Sequence, residues 1–396
     1  MRYRADIDGL RAVAVLSVLG FHLRIGMFRG GFVGVDIFFV ISGYLIGSII
    51  LHDLAAGRFS FGRFYERRVR RIIPALLAAL AVTAVLAYVY FLPGELVAFA
   101  KSLLAAVLSA SNFYFWTQSS YFSAPAEMKP LLHTWSLGVE EQFYVCLPIF
   151  LFLAHRYFPR RLRLSVVLVA LASFVLSAVG AFRAPASTFY LLHTRAWELL
   201  VGVLIALEVF PEISSPLARN LAAGGGLALI SASVLRYSPA LPFPGIAALA
   251  PCAGAALVIL SGRTGTSAVG RLLSLRPVVF VGLISYSLYL WHWPIIVFQG
   301  MESVTASGLS ARAAKLISIA VSFAVATLSW KFVEMPFRQS GVRLSRPALF
   351  KLASTAAALV AAIGLATILS GGMPSRYPSN AIRVAAYVDY DSAGYF

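Results

Sequence analysis

The stretch Leu10-Arg-Ala-Val-Ala-Val-Leu-Ser-Val-Leu-Gly-Phe-His-Leu-Arg-Ile-Gly-Met-Phe28 decides the class of this chain. It is apolar enough to cross a membrane, yet it holds Arg11 and His22, and an ionisable side chain inside a span faces a cavity or a partner. Arg11 and His22 are eleven residues apart, close to three helical turns. A helix therefore puts both on one face, about 16 Å apart along its axis. Two readings follow from that placement. In the first, the arginine snorkels to a headgroup layer and the histidine hydrogen-bonds a neighbouring helix, so both are structural. In the second, the pair faces an internal cavity and serves chemistry.

Composition fixes the setting. Of 396 residues, 60% are hydrophobic and 12% charged, whereas soluble domains carry about 25% charge. With a mean hydropathy of +0.82, the chain reads as an integral membrane protein with lipid as its first partner. The formal charge of +17 does not point to nucleic acid. Its arginines gather in short loops between apolar runs, as orientation by positive residues requires. Cys146 and Cys252 lie in apolar runs and predict neither a disulfide framework nor a metal cluster. Residues 10–28 lack a small-residue cleavage site, so the expectation is a retained signal anchor.

Twelve runs have spanning length: 10–28, 31–51, 72–92, 97–117, 138–155, 165–182, 189–210, 217–235, 245–261, 278–298, 313–333 and 351–370. Residues 1–11 are basic and predict a cytoplasmic N-terminus. The segment 58–71 holds six arginines and 155–163 is basic again, so both belong inside. Passage from one inside loop to another takes an even number of crossings, yet three runs lie between them. The run 97–117, broken by Lys101, Ser109, Ser111 and Asn112, is the one to demote to a re-entrant or interfacial helix. Eleven spans remain: ten core helices and an eleventh, with the C-terminus outside. Residues 1–340 then form the membrane domain and 341–370 a linker with the extra span. The polar stretch 371–396 is a tail or the start of a further domain. No inverted repeat of broken helices is evident, which lowers the case for a transporter.

Several residues could carry chemistry. Arg67, Arg68, Arg70 and Arg71 precede Pro74. They serve either as a topology anchor or as a clamp for phosphate, whose oxygens match the guanidinium fork. Asp36 is a buried charge needing a cation. Glu140 and Glu141 enter their span from outside after His133, where a carboxylate can orient a histidine or accept a proton. Arg195 and Glu198 are i,i+3 neighbours and read as a structural pair. His292 follows Tyr286, Tyr289 and Trp291 and reads as packing or substrate-lining.

Six stretches together carry a resemblance: Asp8-Gly-Leu-Arg-Ala with His22; Gly34-Val-Asp-Ile-Phe-Phe-Val-Ile-Ser-Gly-Tyr44; Phe64-Tyr-Glu-Arg-Arg-Val-Arg-Arg-Ile-Ile-Pro74; His133-Thr-Trp-Ser-Leu-Gly-Val-Glu-Glu-Gln-Phe-Tyr144; Ser285-Tyr-Ser-Leu-Tyr-Leu-Trp-His-Trp-Pro294; and Phe332-Val-Glu-Met-Pro-Phe-Arg338. In this order, over roughly residues 1–340, the chain resembles the acyltransferase 3 family of membrane acyltransferases. The resemblance implies an all-α polytopic bundle in a bacterial inner membrane. It implies O-acylation, usually O-acetylation, of envelope sugars such as lipopolysaccharide O-antigen, exopolysaccharide, glycolipid or peptidoglycan. Arg11 and His22 would then be essential. Arg68 and Arg71, within the Arg67–Arg71 cluster, would meet cytoplasmic acetyl-CoA as donor substrate, and no metal is implied. An eleventh span is typical of a subgroup with an SGNH-hydrolase-like extracytoplasmic domain. No Gly-Asp-Ser motif follows before Phe396, so such a transferase domain or protein stands as a further partner. A transporter or flippase of an envelope precursor is the competing class.

The topology is testable by labelling single cysteines in a background lacking Cys146 and Cys252. An impermeant thiol reagent on intact cells is expected to label Ser119→Cys and Ser379→Cys but not Ser60→Cys. Lys101 at mid-span would cost about 3 kcal/mol. Protection at residue 119 with labelling at 379 would mean that run 97–117 crosses.

Overall fold

The computed structural model describes residues 3–119, 128–305, 310–338, 344–379 and 382. Among them every regular element is helical. The first helices are α1 Ala5–His22, α2 Gly34–Ala55, α3 Phe61–Tyr90, α4 Pro93–Val107, α5 Ser111–Thr117 and α6 Thr134–Tyr157. Then come α7 Leu162–Arg183, α8 Pro185–Tyr190, α9 Leu192–Ala206, α10 Pro216–Arg236, α11 Leu249–Ser261 and α12 Ala268–Leu273. The chain closes with α13 Arg276–Leu283, α14 Ser285–Thr305, α15 Ala311–Ser329, α16 Met335–Arg338 and α17 Arg346–Leu369, with a π-helical turn at Trp330–Glu334. Eight described helices are long and apolar enough to cross a membrane. This is an all-α, multi-pass membrane protein.

Helix ends depart from the apolar runs for local reasons. The first helix stops at His22 rather than running to residue 28. Leu23 N–H closes on Leu19 O, Arg24 takes a left-handed φ of 52°, and two short 3-10 turns lead into α2. With Asp6, Asp8 and Arg11 inside its 18 residues, α1 is not among the eight. The third run begins early, at Phe61, so Arg67, Arg68, Arg70 and Arg71 lie on the helix itself. Residues 97–117 form two short pieces, α4 and α5, parted where Ser109 has φ 54°. The apolar helical stretch Gly245–Ser261 is shorter than the eight. α13 and α14 meet at a 66° bend, and counting that pair as one span gives nine.

The chain falls into two compact units, residues 1–64 with 136–292 and residues 65–135 with 293–396. In the first, α2 and α9 make the most extensive contact. Gly43 permits it: a Cβ there would sit 1.7 Å from Leu199 O. Small residues at such crossings let backbones approach closely, which supplies packing where lipid removes the hydrophobic drive. On α7, Leu168, Leu171, Val175 and Leu176 are exposed, as a lipid-facing surface must be.

The centre of this unit is ionic. Arg195 on α9 is fully buried and lies 3.0 Å from Asp36 Oδ1 on α2 and 3.0 Å from Glu198 Oε1. Its guanidinium also lies 5.3 to 5.8 Å from the ring centres of Phe39, Phe189 and Phe243. Arg195 and Glu198 pair as their spacing predicts, and the cation that Asp36 needs is Arg195.

In the second unit α17 packs along α4, with Gly364 against Leu104. It is also tied to α3 at both ends. At one end Glu66 accepts from Arg70 and from Arg346, while Arg70 donates to Leu344 O. At the other, Arg376 donates to Tyr88 O and Phe91 O and stacks on Tyr88. Tyr88 O belongs to the last turn of α3 and Phe91 follows it directly, and carbonyls at such a helix end lack helical donors and favour a cation. Of the expected tail 371–396, residues 380, 381 and 383–396 lie outside the described residues.

Arg195→Met leaves two buried carboxylates without their cation, a change that costs about 3–5 kcal/mol. Thermal unfolding in detergent is expected to drop markedly. The triple change with Asp36→Asn and Glu198→Gln should recover much of the loss. A single variant that melts like the parent would rule out the ion group as a support.

Candidate functional site

The sequence ends α1 so that His22 is its last residue. Gly20 gives the following turn room, since a Cβ there would collide with the Phe28 ring, and Ile25 N–H closes on Gly20 O. The half-buried His22 ring meets His292 of α14 edge to edge, with 5.1 Å between centroids and 16° between planes. His22 Nδ1 lies 2.8 Å from His292 Nε2. His292 is fully buried, and its Nδ1 lies 2.8 Å from Tyr289 O and 3.1 Å from Leu288 O.

One turn before His292, Tyr289 packs its ring 5.5 Å from the imidazole and its hydroxyl 2.6 Å from Ser136 Oγ on α6. One turn further along α6, Glu140 accepts from Ser42 of α2 and from Tyr144. This carboxylate therefore joins α2 to α6 through the Ser42 hydroxyl, while Tyr144 closes on it from its own helix. Glu141, beside it in sequence, is half-buried. Arg11 is buried and forms an ion pair with Asp8 at 3.7 Å. It shares a helix with His22, but the eleven-residue spacing keeps the two about 16 Å apart. The residue brought against His22 is thus His292, which sequence reasoning had assigned to packing or lining. The available signal was an isolated histidine in each of two apolar helices.

In the second unit the four arginines are not equivalent. Arg70 is committed to Glu66 and Leu344 O. Arg67 is exposed, while Arg68 and Arg71 are half-buried. At i,i+4 and i,i+3, Arg67 and Arg68 share a face with Arg71, so three guanidinium groups can converge on one anion. His133 is buried ahead of α6. Lys129, in the same loop, has its ammonium pKa pulled down by partial burial, and its carbonyl accepts from Trp293 Nε1.

Asp36, Glu198 and Cys252 bring ligand-type atoms within 4.8 Å of one another. The Arg195 guanidinium already supplies positive charge to both carboxylates, so this donor set fits an ion pair better than a metal.

A sequence profile of the family described as Acyltransferase domain matches residues 4–334. The protein YrhL of Bacillus subtilis is 35% identical over 364 residues, 86% of this chain and 56% of its own length. O-acetyltransferase OatA of Staphylococcus aureus is 32% identical over 354 residues, 86% of this chain and 58% of its own. Peptidoglycan O-acetyltransferase OatA of Listeria monocytogenes is 33% identical over 358 residues, 86% of this chain and 56% of its own. The chain thus spans less than three fifths of the length of these relatives. No solved structure matches.

Proposed function

The chain belongs to the family described as Acyltransferase domain, and on that footing we propose that it is a membrane O-acetyltransferase. Acetyl-CoA in the cytoplasm is the donor, and a hydroxyl of a cell-wall saccharide outside is the acceptor. The membrane is the bacterial inner membrane, with the N-terminus inside. Of the envelope acceptors, a peptidoglycan-type glycan is favoured over lipopolysaccharide or exopolysaccharide, because a listerial relative is named for peptidoglycan. A transporter or flippase gains nothing from relatives named for acetyl transfer.

The observation that carries the reading is the imidazole of His22, held at a helix end against a buried second imidazole. Imidazole titrates near neutral pH and can take a proton from a hydroxyl. As base, His22 removes the acceptor's hydroxyl proton while its oxygen bonds to the acetyl carbon. The carbon–sulfur bond of the thioester then breaks, and the proton passes to the departing CoA thiolate. As carrier, the same nitrogen would bear the acetyl group between donor and acceptor. Arg67, Arg68 and Arg71 suit the phosphates of CoA, which repeat the anion geometry guanidinium forks bind.

Two outcomes test this reading. Transfer of label from acetyl-CoA to glycan strands by the purified chain should fall by about two to four orders of magnitude in His22→Ala. Near-normal envelope acetylation by that variant would remove His22 from the chemistry. Arg68→Ala with Arg71→Ala should weaken acetyl-CoA binding and flatten its salt dependence, since exposed charge contacts are screened over about 8 Å at physiological ionic strength. Arg70→Ala should instead lower the melting temperature with little change in donor affinity. Equal loss of affinity in both would defeat the division of labour within the cluster.

A further inference from the structure

The hydrogen-bond directions around His292 determine where protons can sit on both rings. The Nδ1 of His292 faces two backbone carbonyls, Tyr289 O and Leu288 O. A carbonyl only accepts, so Nδ1 must carry a hydrogen. In the neutral ring, Nε2 then holds a lone pair. That nitrogen lies 2.8 Å from His22 Nδ1, so His22 must donate from Nδ1. The neutral His22 ring has one hydrogen to place, and with Nδ1 occupied its lone pair is on Nε2.

We propose that His292 is a positioning residue that fixes His22 in the Nδ1–H form and so makes Nε2 its reactive nitrogen. The inference rests on the acetyl-transfer reading for its purpose but not for its geometry. The neutral histidine side chain in water prefers the opposite form, with hydrogen on Nε2. Left to itself, His22 would therefore present a donor where the reaction needs an acceptor. His292 is suited to correct this because its own tautomer is imposed by backbone, through bonds to the preceding turn of its helix. One further contact holds that ring: Tyr289 packs against it, and the Tyr289 hydroxyl is in turn anchored to Ser136.

The same arrangement serves both roles open to His22. When Nε2 takes the hydroxyl proton, the positive ring keeps its Nδ1–H bond to the neutral His292. When Nε2 instead takes the acetyl group, the bond persists in the same way. In neither case does a proton have to leave Nδ1. His292 itself need not touch donor or acceptor.

Three substitutions at one site separate positioning from packing. The Gln side chain brings an amide oxygen close to where Nε2 stands, so His292→Gln can still accept from His22 Nδ1. The Asn side chain reaches only as far as Nδ1, so His292→Asn cannot. His292→Leu fills the space and accepts nothing. Acetyl transfer by the full chain is expected to lose about a hundredfold in kcat in the Leu and Asn variants, with KM for acetyl-CoA unchanged. His292→Gln should regain at least about tenfold over the other two. Equal losses in all three, or wild-type kcat in His292→Leu, would overturn the proposal.

A second measurement needs no activity. The chain has six histidines, few enough for nitrogen NMR of isotope-labelled histidine, with His22→Ala and His292→Gln for assignment. Both His22 and His292 are expected as neutral Nδ1–H rings, and His292→Leu should return His22 to the Nε2–H form. Finding His22 as Nε2–H in the parent protein sinks the inference whatever the enzyme does. A parent protein that transfers no acetyl group sinks the proposed function instead, and the NMR result still decides the role of His292.

Discussion

Arg195 is the residue around which the first unit is assembled. A guanidinium with no exposure is tolerable only if its charge is met, and here Asp36 and Glu198 meet it from α2 and from its own helix α9. Removing either charge type leaves the other stranded in a medium that cannot solvate it. This constraint sets which faces of α2 and α9 must meet, and Gly43 lets them approach until backbone touches backbone. α2 in turn carries Ser42 to Glu140 and Phe38 to the edge of Tyr289. The buried ion group and the histidine pair thus share one supporting helix.

The class of the fold was legible from composition and run length, because lipid permits little besides helices with their backbone bonds made internally. Local pairs were legible too: Arg195 and Glu198 are three residues apart, and helical geometry alone brings them together. Pairs made by tertiary packing were not. Asp36 stands 159 residues from Arg195, and His22 stands 270 from His292. Each of the four shows only as a polar residue in an apolar run, with nothing in the run to name its partner. For this reason the sequence does not show that His292 meets His22, nor that the Ser42 and Tyr144 hydroxyls meet Glu140. Helix ends were also hidden, since they follow conformation more than hydropathy. Arg24 and Ser109 break helices by taking left-handed φ angles, which few side chains signal.

The arginine cluster shows how a motif can divide its labour. Four arginines in five positions look alike in sequence, yet Arg70 is spent on joining α3 to the start of α17. Arg67, Arg68 and Arg71 share one face of α3 as a row, by their i,i+4 and i,i+3 spacing. Arg346 meets the same carboxylate as Arg70, so α17 is part of the structure that fixes the row, not an addition to it.

The far end of α17 has a mechanical meaning. After the helix the chain turns through Gly371, Gly372 and Met373, all with positive φ, and Gly372 lies against the backbone of Pro93. Arg376 and Tyr377 then grip the carbonyls that close α3. A tug on the polar stretch beyond Tyr377 would reach this grip before it reached α17. The knot works like the strain relief on a cable, passing the load to the end of a neighbouring 30-residue rod and sparing the hydrogen bonds of the helix behind it.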